Sequence, residues 1–293
     1  MTTTTEATTV YGRPEFENVD IGDTMRDGHP DITDGDLLIV DLVRKRAEAL
    51  GRALTVMDVG SGSGVVSELL ARGLPGHRVI ANEVEPHLIA QARARMAAVP
   101  NGEVFDRPFQ EWSEPLDVVI SWGSHHHLPN TYLDHVRSLL GEEGVLIIGD
   151  EFCPEYCDEA DTAKVAAADV IHLADGLVLT TREEVAAYEA DGTVPQWSRD
   201  LEDKRRRALW HWYKFVIDYA MDKDNWTVVL AELQITLDDL TTTFHEEHKL
   251  SPVIVQRDLE LNGFRCLTAN VIGNRPVDLQ SFYLWEFAPT PRD

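Results

Sequence analysis

The pattern of apolar positions changes character twice along the chain. From Asp36 to Leu50, apolar residues at Leu37, Leu38, Val40, Leu42 and Val43 predict a helix ended by Gly51. Short apolar runs then alternate with amphipathic stretches. Strands are predicted over 55–59, 78–84, 116–122 and 144–150, and helices over 64–72, 86–97 and 131–140. This alternation predicts an α/β fold whose mostly parallel sheet carries helices on both faces. After residue 150 the rhythm stops, and helical periodicity predicts helices over 161–173, 181–190, 201–221 and 225–239. A helix over 251–262, closed by Gly263, precedes strands over 265–272 and 281–287. The chain therefore divides into an arm with little regular structure (1–35), a sheet core (36–150), a helical insert (151–249) and a segment completing the sheet (250–293). The insert falls between the fifth and sixth strands.

Composition narrows the partners. Lys and Arg total 26 against 51 Asp and Glu, a formal charge of −25. Such a surface repels phosphate backbones and anionic lipid, so neither nucleic acid nor membrane is an expected partner, while a cationic small ligand suits it. No apolar run approaches the roughly 20 residues that span a bilayer. Residues 1–9 are Thr-rich and lack the basic and apolar regions of a signal peptide. The three cysteines, Cys153, Cys157 and Cys266, are too few for a disulfide framework, and a reduced cytoplasmic protein is expected.

The sharpest motif is Asp58-Val-Gly60-Ser61-Gly62-Ser63-Gly64, which ends a strand and opens a helix. Glycines there allow positive φ and close approach of backbone to ligand. Glu83 ends the next strand, 19 residues beyond Gly64, where a carboxylate can accept protons from both ribose hydroxyls. The loop lacks the lysine of a phosphate-binding Walker loop and the Gly-x-Gly-x-x-Gly spacing of a dinucleotide site. Asp58 beside it would repel a pyrophosphate and attract an ammonium or sulfonium.

The chain resembles the class I S-adenosylmethionine-dependent methyltransferases. The resemblance rests on the glycine loop, on Val79-Ile-Ala-Asn-Glu83-Val84-Glu-Pro86, on Leu116-Asp-Val-Val-Ile-Ser121 and on Gly144-Val-Leu-Ile-Ile-Gly-Asp150. It implies a Rossmann-like, seven-stranded, mostly parallel sheet with S-adenosylmethionine as cofactor. It also implies that the glycine loop carries the methionine moiety and that Glu83 holds the ribose, with Val84 next to it. Asp106, Phe109 and Gln110 are candidates for adenine contacts, although Val104–Trp112 departs from the family's spacing. Ser121 and Trp122, after the fourth strand, would face the sulfonium.

His125-His126-His127 follows at once. Adjacent side chains diverge in any regular structure, so a positioning or base role for His126 or His127 is expected and a metal is not. Asp150 and Glu151 end the fifth strand at the sheet's carboxyl edge, where ligands bind in open α/β sheets. Asp150 is a candidate base, and Glu151 a candidate partner for a substrate ammonium. Phe244-His245-Glu-Glu-His248 and Cys153-x-x-x-Cys157 read as structural. Trp210 and Tyr213 of the aromatic-rich insert are candidate walls for a cation, whereas Lys204-Arg-Arg-Arg207 reads as a solvated basic face. In the arm, Tyr11, Arg26 and His29 are expected to close over the site.

These features point to methyl transfer onto a small metabolite, an amino-acid-like amine or a thioether. Two other functions stay open: cyclisation of the cofactor to azetidine-2-carboxylate with release of methylthioadenosine, and cofactor binding without catalysis. An exposed apolar face on the insert would support a homodimer.

Overall fold

In the computed structural model, residues 19, 21–128, 131–241 and 248–291 are described. Five strands, β1 (Thr55–Val59), β2 (Arg78–Asn82), β3 (Gly102–Phe105), β4 (Leu116–Trp122) and β5 (Leu140–Glu151), pair in parallel. Two more, β8 (Phe264–Val271) and β9 (Phe282–Pro289), extend the sheet to the order β3-β2-β1-β4-β5-β9-β8, with β9 antiparallel to both neighbours. The expected seven-stranded, mostly parallel sheet is therefore present. β3, only four residues long, gives too short an apolar run to stand out in the sequence.

Helices cover both faces because the central strands are apolar throughout: Val56, Met57, Val118 and Val119 are all buried. One face packs α2 (Ile32–Leu50) and α3 (Val65–Gly73). The other packs α5 (Thr131–Leu139) and α10 (Pro252–Leu261). α4 (Pro86–Met96) begins at a proline, whose missing N–H costs nothing at a helix start. The insert contributes α6 (Glu159–Ala166), α7 (Arg182–Asp191), α8 (Gln196–Asp222) and α9 (Trp226–Asp239).

Three expectations need correction. Residues 1–35 are not uniformly irregular: α1 (Ile21–Gly28) forms, and α2 starts at Ile32. The helix expected over 161–173 stops at Ala166, and a hairpin of β6 (His172–Ala174) and β7 (Leu177–Leu179) follows, turning at Asp175 and Gly176, both at positive φ. Lys204-Arg-Arg-Arg207 is only partly solvated. Arg205 is 1% exposed and bonds Glu202, the Asp239 carboxylate and the carbonyls of Asp239 and Lys249, tying α8 to α9. All three cysteines are free thiols. No helix among the described residues is long and apolar enough to cross a membrane. The exposed apolar face of the insert lies on α9, where Trp226, Leu230, Leu233 and Leu237 repeat at helical spacing.

Candidate active site

The carboxyl ends of β1, β4 and β5 open into a cleft of about 1040 Å³, counting its open mouth, roofed by α1 and walled by α2 and α9. At one end lies the glycine loop. Gly60, Gly62 and Gly64 have φ of 69°, 56° and 80°, the left-handed region that favours glycine. A Cβ on Gly60 would sit 2.6 Å from Ser124 Cβ, whereas one on Gly62 would meet nothing within 4 Å. Ser124, buried behind the loop, donates to the Val59 carbonyl at 2.7 Å and pairs with Ser121 Oγ at 2.7 Å. Ser121 is thus a fully buried support rather than part of the lining.

Asp58 accepts from Ser67 through Oδ2 at 2.7 Å, while its Oδ1 is buried with no hydrogen-bond partner among the described residues. Burial pushes its carboxyl up to about 7, against the Ser67 bond that favours the charge. Glu83 accepts three backbone N–H groups: Gly62 at 2.8 Å on one oxygen, and Val84 at 2.7 Å and Glu85 at 3.0 Å on the other. Burial raises its pKa while these bonds oppose the shift.

The structure brings His126 and Asp150 together. Asp150 is fully buried; its Oδ1 lies 2.8 Å from His126 Nδ1, and its Oδ2 accepts the His126 backbone N–H at 3.1 Å. The imidazoles of His126, His125 and His127 hold the Asp150 carboxyl below its usual range despite burial. His127 packs its ring 4.0 Å from that of His126. His125 turns away into the core, 2.6 Å from Tyr132 OH, where burial pushes its pKa down to about 4. Among the described residues no group of three or more His, Cys, Asp or Glu has a geometry that could hold a metal.

Trp122 lines the cleft in a slot made by two glycines: a Cβ on Gly35 or Gly149 would come within 2.2 Å of its ring. Its indole bonds Asp36, whose buried carboxyl is raised to about 6 and pairs with Arg26 Nε at 2.6 Å. Arg26 and His29 both line the cleft; Tyr11 lies outside the described residues. Glu151 also lines it and accepts the indole N–H of Trp212.

Other expected residues lie elsewhere. Phe109 is buried on the far face of the sheet against His135, Gln110 is exposed, and Asp106 is exposed and paired with Arg93. Val84, 53% exposed, follows Glu83 at the end of β2. None of the four lines the cleft. Trp210 is 54% exposed and faces away, so it cannot wall a cation. Tyr213 is buried beneath the lining, its hydroxyl donating to Asp239 and accepting from Lys249. The sequence reading missed Trp212, Glu232, Lys249 and Phe282. Trp212 was findable: it lies seven residues from Arg205 on the buried stripe that includes Leu209 and Val216. Of Phe244-His245-Glu-Glu-His248, only the buried His248 is among the described residues.

Residues 56–144 match a family model described as a methyltransferase domain. Over 97 residues, 32% of this chain, it is 31% identical to trans-aconitate 2-methyltransferase of Escherichia coli, strain K12 among others. The match spans 37% of that relative's own length. Two solved structures share the fold. The magnesium protoporphyrin IX methyltransferase of Synechocystis PCC 6803 with bound SAM covers 98% of this chain and 100% of its own, with a TM-score of 0.50 at 14% identity. A carbon methyltransferase named CurJ covers 87% of this chain and 54% of its own, with a TM-score of 0.51 at 12% identity.

Proposed function

We propose that this chain, whose residues 56–144 match a methyltransferase domain, is a class I S-adenosylmethionine-dependent methyltransferase and transfers a methyl group to a small, amino-acid-like metabolite through an amine or thioether. The observation that carries the reading is one cleft with the glycine loop at one end and the His126–Asp150 pair beside it.

The residues fit the cofactor. The space over Gly62 is open, a Cβ there meeting nothing within 4 Å, and the bare Asp58 Oδ1 suits a cationic group. In this reading the loop and Asp58 hold the methionine moiety and Glu83 takes the ribose hydroxyls. When bound, S-adenosylmethionine supplies a methyl group made electrophilic by its sulfonium. The chain's part is alignment, exclusion of water and removal of a proton. Asp150 accepts a hydrogen bond from Nδ1–H of His126, which leaves the Nε2 lone pair to take a proton from the acceptor. His127 limits rotation of that ring by packing against it at a tilt of 45°.

An acidic cleft disfavours an anionic acceptor. Asp36, Asp58, Asp150, Glu151 and Glu232 line it against Arg26 and Lys249. The acid in the relatives' name is therefore not carried over.

The test is product analysis. Adenosylhomocysteine formed only with an added amino acceptor supports transfer, and methylthioadenosine formed from cofactor alone supports the cyclase. Neither product across a broad acceptor panel, despite tight cofactor binding, leaves the non-catalytic reading. A homodimer would be built on the α9 stripe, and sedimentation of wild type against Leu233→Glu tests it.

A further inference from the structure

Behind the cleft, one buried polar chain joins the glycine loop to the turn that carries His126, and proton removal does not use it. Ser124 Oγ donates to the Val59 carbonyl at 2.7 Å and lies 2.7 Å from Ser121 Oγ. Ser121 in turn bonds the hydroxyl of Tyr132 on α5, and that hydroxyl lies 2.6 Å from His125 Nδ1. Ser121 and Tyr132 are fully buried, and Ser124 and His125 nearly so. The chain thus crosses from α5 past the end of β4 to the end of β1, and none of its four side chains lines the cleft.

Each hydroxyl carries one proton, so the first bond dictates the others. A carbonyl only accepts, so Ser124 spends its proton on Val59 and accepts from Ser121. Ser121, its proton spent on Ser124, accepts from Tyr132, and Tyr132 accepts from Nδ1–H of His125. Burial pushes the pKa of His125 down to about 4, against the charge of Asp150, so the ring is neutral and carries that one N–H. All four bonds then run one way, from the histidine to the carbonyl that precedes Gly60, and bonds aligned in this manner polarise one another.

Both ends of the chain abut the site. At one, Ser124 stands against the glycine loop, where a Cβ on Gly60 would come 2.6 Å from the Cβ of Ser124. At the other, His125 opens the 3-10 turn His125–His127, and the next residue places its backbone N–H and its ring nitrogen on Asp150. Tyr132 anchors His125 in the core and so sets where that turn begins.

We propose that His125, Tyr132, Ser121 and Ser124 are positioning residues that hold the cofactor loop and the His126 base in register, so that a ligand on the loop is felt at His125. The proposal rests on the methyl-transfer reading in naming the cofactor and the base; the direction of the bonds does not depend on it.

Long-range proton–nitrogen correlation spectra of the full chain read both the His125 tautomer and its response to saturating adenosylhomocysteine. Wild type should carry the proton on Nδ1 of His125, and the ring nitrogen signals should move when adenosylhomocysteine binds, although that ring lies outside the cleft lining. In Ser124→Ala, which cuts the chain at its loop end, the movement should fall at least threefold, while the signals of His126, which lines the cleft, still respond. A role in stability alone would lower the urea midpoint and leave the His125 response in place. Should Ser124→Ala not fold, Tyr132→Phe carries the same expectation. A proton on Nε2 of His125, a His125 signal unmoved in wild type, or a movement that survives the substitution overturns the proposal and leaves the methyltransferase reading standing. Failure of wild type to bind adenosylhomocysteine at all overturns that reading instead. The chain is then decided on the free protein by the tautomer, which Tyr132→Phe should move from Nδ1 to Nε2.

Discussion

Gly60 and Gly62 share one loop and nearly one backbone conformation, with φ of 69° and 56°, yet alanine should affect them very differently. At either site the left-handed conformation costs an L-residue about 1–2 kcal/mol. At Gly60 the new methyl also meets Ser124, 2.6 Å to Cβ and 3.0 Å to Oγ. Ser124 cannot easily yield, because it is buried and its hydroxyl is held by Val59 and Ser121. Forcing a methyl into a packed site adds about 1–3 kcal/mol. Gly60→Ala is therefore expected to destabilise by about 2–5 kcal/mol and Gly62→Ala by about 1–2 kcal/mol. Urea unfolding with matched slopes reads both values. Combining Gly60→Ala with Ser124→Gly removes the clash and leaves the backbone cost, so the double-mutant cycle should return a coupling of about 1–3 kcal/mol. Gly62→Ala, carrying only the backbone cost, should in addition lose adenosylhomocysteine affinity, since its methyl enters the cleft. Equal destabilisation by the two alanines, or a coupling below about 0.5 kcal/mol, would refute the reasoning.

Three further outcomes follow from the same geometry. The Asp58 carboxyl, raised to about 7 by burial, is protonated below that pH and loses its attraction for a cation. S-adenosylmethionine affinity should thus fall on acidification through about pH 7 and binding should release a proton, both effects being absent in Asp58→Asn; calorimetry in buffers of differing ionisation enthalpy measures this. Asp150→Asn should cut turnover by about 10²–10⁴-fold through loss of the oriented base while cofactor affinity is kept, as read by single-turnover kinetics and equilibrium binding. Arg205→Met removes the buried cation that Glu202 and Asp239 share, leaving Arg206 beside the one and Lys249 beside the other, and should destabilise by about 3–5 kcal/mol in urea; a value under about 1 kcal/mol would show that the network relaxes.

The cofactor half of the site was legible because it is local. Loop, strand ends and acid lie within 30 residues, and strand–helix alternation places them at one sheet edge. The helix of Lys204–Arg207 was legible as a helix but not in its rotation, so Trp210 was chosen over Trp212 and Arg205 was left in solvent. Only the stripe of positions 202, 205, 209, 212 and 216, all buried, resolves that. Glu232 and Lys249 carry no local signature at all. α9 and the residues before α10 bring them beside His29, a juxtaposition set by tertiary packing across some 200 residues of sequence. The adenine side was misread where residues 104–112 depart from the expected spacing: a 3-10 turn over Phe109–Glu111 drives Phe109 into the core.

Asp31, held at a φ of 69° where α2 begins, is gripped by Arg275 through two guanidinium nitrogens, Nε at 2.5 Å and Nη2 at 2.8 Å, a contact closing a loop of 244 residues. The roof helix is thereby fastened by the turn just before β9. A chain emerging from the ribosome can assemble the glycine loop early, but this clasp on the roof forms only when the segment between the last two strands is made. Ligand capture should accordingly be a late event in folding, and a truncation at residue 270 should retain much of the sheet while leaving the cleft without its clasp.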